Sequence, residues 1–212
     1  LPQGHGSVDL HQAIAQSCNI YFYRAGMATR VSALNRYALM YGFGRKTGID
    51  LREEKEGLVP NPSWRRRVRG TSWVPGHTIQ MSIGQGDVLA TPLQMASAYA
   101  SLAMEGRSYR PRLVVSARNQ ATGERKNFSP DLRPGNLDLS PSTFIQLRKG
   151  FLNVVEGLRG TGRRARVEGL SVAGKTGTAQ VPQGDDHAMF VGYAPAEDPQ
   201  FLVAVLIENL QG

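Results

Sequence analysis

Only one cysteine, Cys18, occurs among the 212 residues. An internal disulfide is therefore excluded, and cysteine usage selects no redox compartment. Histidine is scarce too. Its four copies are scattered and have no partner cysteines, so no metal-ligand pattern is present. No apolar run approaches the length that a membrane span needs, and no leader-peptide pattern is visible. Lysine is rare, with five copies against twenty arginines, so the net charge of +8 comes mostly from guanidinium groups. It concentrates in two clusters: Arg65, Arg66, Arg67 and Arg69, then Arg159, Arg163, Arg164 and Arg166. Solvated loop charge accounts for such clusters; attraction to an anionic surface or polymer is the functional alternative. Nucleic acid is not indicated, because no helix-turn-helix, zinc-finger or aromatic stacking signature accompanies the charge.

What is present suits an ordered globular chain. The hydrophobic fraction is 41%, with 24 glycines and 12 prolines, and the length allows one domain with a substantial core. "DLHQAIAQ" reads as a helix capped by Asp9, with Leu10, Ala13 and Ile14 on one face. It breaks at "SCN", residues 17 to 19, and resumes as "IYFYRAGMA". A further helix over about 31–41 stops at Gly42. Residues 43–90 read as irregular, with short extended pieces. Thr91, Pro92 and Gln94 mark the start of a helix that ends at Gly106. A hairpin over 110–128 and a long helix from Ser140-Pro141 to about Gly157 follow. Three strands close the chain, near 169–181, 187–194 and 201–208. The last, "FLVAVLIE", is apolar on both faces, which predicts a mid-sheet strand covered by helices on both sides; the preceding hairpin can supply only one of its two strand neighbours, so the other is expected from outside residues 1–212. There is no internal repeat and no low-complexity tract.

"GLSVAGKTGTAQV", residues 169 to 181, supports two incompatible chemistries. Gly169, Gly174, Lys175 and Thr176 match the phosphate-cradling P-loop pattern. The same stretch holds Lys175-Thr176-Gly177, a K-T-G triplet of the kind used by serine acyl-transferases. A P-loop needs a flexible loop through Gly174 and a helix opening at Lys175. Leu170, Ser171, Val172 and Ala173 read instead as strand. Gly177 to Pro182 is poor helix and good strand, and a polar turn, Gln183 to Asp186, leads into a second apolar run. The pattern is a β-hairpin with K-T-G on its first strand. A plain small-residue strand facing solvent is the alternative on this stretch alone. Ser17 and Asn19 lie about 155 residues earlier, where a helix break can aim both side chains into one cleft. The alternative is that they only cap the second helical segment.

Taken in order, these segments resemble the penicillin-binding proteins, most closely the monofunctional class B, elongation-type group. "GHGSVDLHQAIAQSCNIYFY" is similar to that group's segment around its S-x-N motif. "YGFGRKTGIDLREEKEG", "IQMSIGQGDVLATPLQMA" and "AGKTGTAQV…HAMFVGYAP" are similar to later family segments. Residues 107–168 are the least distinctive.

The resemblance implies the α/β (α+β type) serine transpeptidase and β-lactamase-like fold, an antiparallel central sheet with helices on both faces. It implies that residues 1–212 are part of a single domain: a mainly helical S-x-N region over 1–106, a hairpin and helix over 107–168, and the K-T-G strand and sheet over 169–212. The implied reaction is D,D-transpeptidation of peptidoglycan stem peptides through an acyl-serine, with β-lactams trapping that intermediate and no cofactor or metal. Ser17 would relay a proton, and Asn19 would hydrogen-bond the substrate amide and the catalytic lysine. Lys175 would set a cation near the donor's carboxylate and the Ser17 hydroxyl. Thr176 and Thr178 would offer hydroxyls, Thr178 would give a backbone N–H to the oxyanion hole, and Gly177 would leave room for substrate backbone. "GQG" at 84–86 either shapes the approach or is a plain turn.

One element of the pattern is missing. Phe43, Arg52, Gly123, Gln146 and Val172 stand three residues before the five lysines, so no S-x-x-K occurs. The expectation is a nucleophile upstream, in a longer protein anchored in the inner membrane and facing the periplasm. A lipid-linked glycan polymerase and elongation-complex scaffold proteins would be its partners. A non-catalytic or β-lactam-sensing relative is the alternative, and a P-loop nucleotide-binding protein is the residual one.

Overall fold

The computed structural model describes residues 4–133, 139–180 and 184–209. Its first helix, α1 (Leu10–Ala15), opens on a capping box. Asp9 Oδ1 accepts from the Gln12 amide at 2.8 Å, and the Asp9 amide donates to Gln12 Oε1 at 3.0 Å. α2 (Asn19–Met40) follows the break and is itself interrupted at Arg30, where φ is 68° and ψ 155°. The two helical segments read from the sequence meet at that interruption.

Residues 43–90 are not irregular throughout. They contain α3 (Pro62–Arg69) and α4 (Pro75–Met81). Both start with proline at the first helical position, after a residue in extended conformation. Asn61 caps α3 by accepting from the Trp64 amide at 2.8 Å. α3 buries no residue, and its eight positions hold only Trp64 and Val68 as an apolar pair on one face, too short a run to fix a helical period.

α5 (Pro92–Ala103) has the Thr91/Gln94 capping box. The fully buried Gln94 also donates to the carbonyls of Arg45 and Glu56, at 2.8 and 2.7 Å, tying the preceding loop to the helix. β1 (Ser116–Arg118) and β2 (Arg125–Asn127) form the expected hairpin, and α6 (Pro141–Glu156) the long helix.

The main sheet is antiparallel, in the order β3 (Ala173–Ala179), β4 (His187–Ala194), β5 (Phe201–Ile207). α6 packs on β3 and α5 on β4 and β5. The core collects Ile14, Phe151, Val154, Val155, Val172, Ala173 and Tyr193 between these elements. Val181, Pro182 and Gln183, in the strand end and turn read from the sequence, lie outside the described residues.

β5 has the one strand neighbour that the hairpin supplies, but not the expected helical cover on both faces. Among the described residues it pairs only with β4, and Phe201, Val203, Val205 and Ile207 are 45–75% exposed. The alternate residues are half-buried. Apolarity on both faces therefore coexists here with one uncovered face and one unpaired edge.

Gly150 of α6 lies against α1. A Cβ there would fall 2.6 Å from Ile14 Cδ1 and 3.2 Å from Ile14 Cβ. Helix propensity alone favours alanine over glycine by about 1 kcal/mol. Overpacking opposes it and wins at this crossing: Gly150→Ala should destabilise by about 1–3 kcal/mol. Denaturant unfolding checks this, and a stabilised variant would contradict the tight α1–α6 contact.

Candidate active site

The chain leaves α1 by folding back on itself: the Ser17 amide donates to Ile14 O at 3.3 Å and the Cys18 amide to Ala13 O at 2.9 Å. Ser17 pays for the turn with a left-handed backbone, φ 51°, a conformation that L-residues other than glycine adopt at a cost of roughly 1–2 kcal/mol. Strain of this kind concentrates where a side chain must be aimed. Neither member of the S-x-N pair caps α2. The N-cap is Cys18, which makes no side-chain capping bond, and Asn19 is the first helical residue. Cys18 is buried, so the residues on either side of it are left to face the cleft.

The Ser17 hydroxyl meets Lys175. Lys175 Nζ donates to Ser17 Oγ and, at 2.8 Å, to the carbonyl of Thr176. Lys175 is largely withdrawn from water, and this burial brings its ammonium down from 10.5 to about 8. Ser17, Asn19, Lys175, Thr176, Gly177 and Thr178 line one open cleft of about 810 Å³.

The K-T-G residues sit on β3, with Lys175 opposite Val191 and Gly177 opposite Met189. A strand sends the N–H and C=O of one residue to the same side, and successive residues to opposite sides. The Thr176 carbonyl accepts from Lys175 and the Thr178 carbonyl from Gln85, so Thr176 and Thr178 turn their backbone groups away from β4. Among the described residues no strand pairs with that edge. A Cβ on Gly177 would meet nothing nearer than Met189 Cβ at 3.8 Å, so this glycine is not required by the protein's own packing. Gly174 differs: a Cβ there would lie 2.7 Å from both Phe190 Cζ and Val191 O.

This geometry removes the P-loop reading. Gly174 is buried inside a strand, Lys175 is mid-strand, and the backbone continues as strand to Ala179 where a P-loop would open a helix. Backbone N–H groups do not converge there as a phosphate cradle requires.

Two contributors were poorly marked in the sequence. Thr161 lies in the glycine-rich loop after α6. Its amide donates to Ala15 O at 3.1 Å, and its hydroxyl is 2.7 Å from that of Thr176. It thus ties the end of α1 to β3. The only signal was a small polar residue between two glycines. Gln85, within "GQG", donates from Nε2 to Thr178 O at 2.9 Å, so the segment is more than a plain turn. The arginine clusters include structural members. Arg65 and Arg69 share Asp87, each at 2.8 Å, and Arg166 holds the Glu156 carbonyl at the end of α6 at 2.7 Å.

Similarity to known proteins follows the same elements. The sequence profile of the penicillin binding protein transpeptidase domain matches residues 2–212. Peptidoglycan D,D-transpeptidase MrdA of Acinetobacter baumannii is 39% identical over 97% of this chain and 32% of its own length. MrdA of Haemophilus influenzae is 34% identical over 99% of this chain and 34% of its own length. Pseudomonas aeruginosa PBP2, solved in complex with WCK 5153, superposes with a TM-score of 0.83 at 37% identity, covering 95% of this chain and 44% of that one. Helicobacter pylori PBP2 gives 0.85 at 31% identity, covering 99% and 38%. The chain spans about a third of the length of the curated relatives it matches. The mixed α/β architecture, the antiparallel K-T-G hairpin and the matched profile agree: the chain belongs to the penicillin-binding protein transpeptidase domain family.

Proposed function

We propose that this chain is the part of a peptidoglycan D,D-transpeptidase domain that carries the S-x-N turn and the K-T-G strand, with the nucleophilic serine supplied from outside these residues. The observation that carries the reading is the convergence of Ser17 and Lys175 beside the edge of β3 that no strand pairs with among the described residues. An extended stem peptide can lie along that edge as an added strand, bonding to the outward N–H and C=O of Thr178.

The chemistry balances without a cofactor. The serine oxygen attacks the carbonyl carbon of the D-Ala-D-Ala amide, and its proton passes to the departing D-alanine nitrogen as the C–N bond breaks. An acyl-serine ester remains. A neighbouring stem's amine then attacks the ester, a new amide forms, and a proton returns to the serine oxygen. The Ser17 hydroxyl, held by Lys175, is the relay for these transfers. Asn19 offers an amide to the substrate backbone. The Thr178 N–H stabilises the oxyanion, and Lys175 with the Thr176 and Thr178 hydroxyls receives the donor's carboxylate. A β-lactam enters as a donor whose leaving group stays tethered.

Residues 1–212 form, in this reading, one part of a single transpeptidase domain. The longer protein is held on the periplasmic side of the inner membrane by an anchor elsewhere; among the described residues no helix is long and apolar enough to cross a membrane. Partners of relatives point to an elongation assembly. Helicobacter pylori PBP2 is solved in complex with MreC, and another similar structure is of a peptidoglycan synthase complex coordinating polymerization and crosslinking.

In the intact protein, Lys175→Ala should slow penicillin acylation by the equivalent of about 2–4 kcal/mol while the fold persists. Stopped-flow acylation with a labelled penicillin measures this; unchanged kinetics in a folded variant would overturn the assignment. The pH profile gives a second check. The charged form of Lys175 binds the carboxylate, and in the free protein it is present below about pH 8 and lost above it. Acylation efficiency at low drug concentration should therefore fall as pH rises through about 8. Lys175→Arg should move that limb upward, because guanidinium stays charged. A parent profile that stays level to well above that pH would contradict the role.

A further inference from the structure

Gln85 occupies the group that a docking peptide needs. The Thr178 carbonyl points along the unpaired edge of β3, and Gln85 Nε2 donates to it at 2.9 Å. A side-chain amide N–H presents to that oxygen what a substrate amide N–H would present on adding as a strand. We propose that Gln85 competes with the ligand's amide N–H for the Thr178 carbonyl, and so sets selectivity between ligands that bring such an N–H and ligands that do not. The inference rests on the transpeptidase reading of the cleft.

The base of the Gln85 arm is firm and its tip is loosely held. Gly84 and Gly86 flank it with φ of 74° and 75°, a double left-handed turn that glycine accepts readily. The Gln85 amide is fixed to Gln80 O at 2.9 Å, and a Cβ on Gly86 would crowd the Gln80 side chain at 3.0 Å. The turn hangs from α4, which lies close on α2: a Cβ on Gly26 would fall 2.3 Å from Ser82 Cβ. The side chain itself makes, among the described residues, the single bond to Thr178 O. Rotating it away frees the carbonyl without disturbing the strand. Gln85 also lines the cleft with Ser17 and Lys175, so it stands where ligand must pass.

The test uses the full-length protein and two probes. Benzylpenicillin carries an acylamino N–H; a carbapenem carries a hydroxyethyl group in its place. Second-order acylation rate constants are compared for the parent, Gln85→Ala and Gln85→Met, the last keeping the volume without the donor. Losing one competing neutral hydrogen bond should raise the penicillin-to-carbapenem ratio by about two- to tenfold in both variants. A ratio that stays at the parent value or falls overturns the inference; both rates falling together would mark Gln85 as a strut for β3. If neither drug acylates the parent, the cleft reading itself fails, and this inference falls with it.

Discussion

The site depends on one buried polar contact, between the ammonium of Lys175 and the hydroxyl of Ser17. It joins a strained turn between two helices to the middle of a β-strand. An ammonium withdrawn from water is costly unless donors and acceptors surround it. Here it has Ser17 Oγ and the Thr176 carbonyl, and burial still brings its pKa to about 8. The left-handed backbone at Ser17, the capping role passed to Cys18 and the Thr161 bridge all serve to bring that hydroxyl to that amine. The same balance leaves Lys175 able to change protonation near neutral pH.

The second constraint is the edge of β3. Unpaired strand edges invite association, and proteins usually blunt them. This one carries a lysine ammonium on one of its outward carbonyls and a glutamine amide on another. Both are groups that can be displaced or shared, unlike a paired strand. Among the described residues the edge is thus free of backbone pairing yet not left bare, which would suit a surface that receives an extended peptide.

Much of this was legible in the residues because it rests on local rules. Asp9, Thr91 and Ser140 announced their helices by capping chemistry, and the β-prone run around K-T-G separated strand from P-loop. α3 and α4 carried the same proline signature but escaped, because at eight and seven residues they are too short for apolar periodicity to register. The open edge of β5 was legible from its two apolar faces and its single hairpin neighbour, whereas its uncovered face was not: apolarity reports what a strand can bury, not which elements cover it. Ser17 and Asn19 read equally well as caps, and only the fold, by making Cys18 the N-cap, removes that option. Thr161 and Gln85 act through one or two long-range bonds each, which no periodicity or spacing encodes.

The central claim is that Ser17 and Lys175 act as a unit. A double-mutant cycle on penicillin acylation by the intact protein, built from Ser17→Ala, Lys175→Ala and the pair, tests it most directly. Groups acting together are strongly non-additive. The double variant should be little worse than the more damaged single variant, with a coupling above about 1 kcal/mol. Effects that add to within about 0.5 kcal/mol would show two independent residues that only happen to lie close, and would contradict the account.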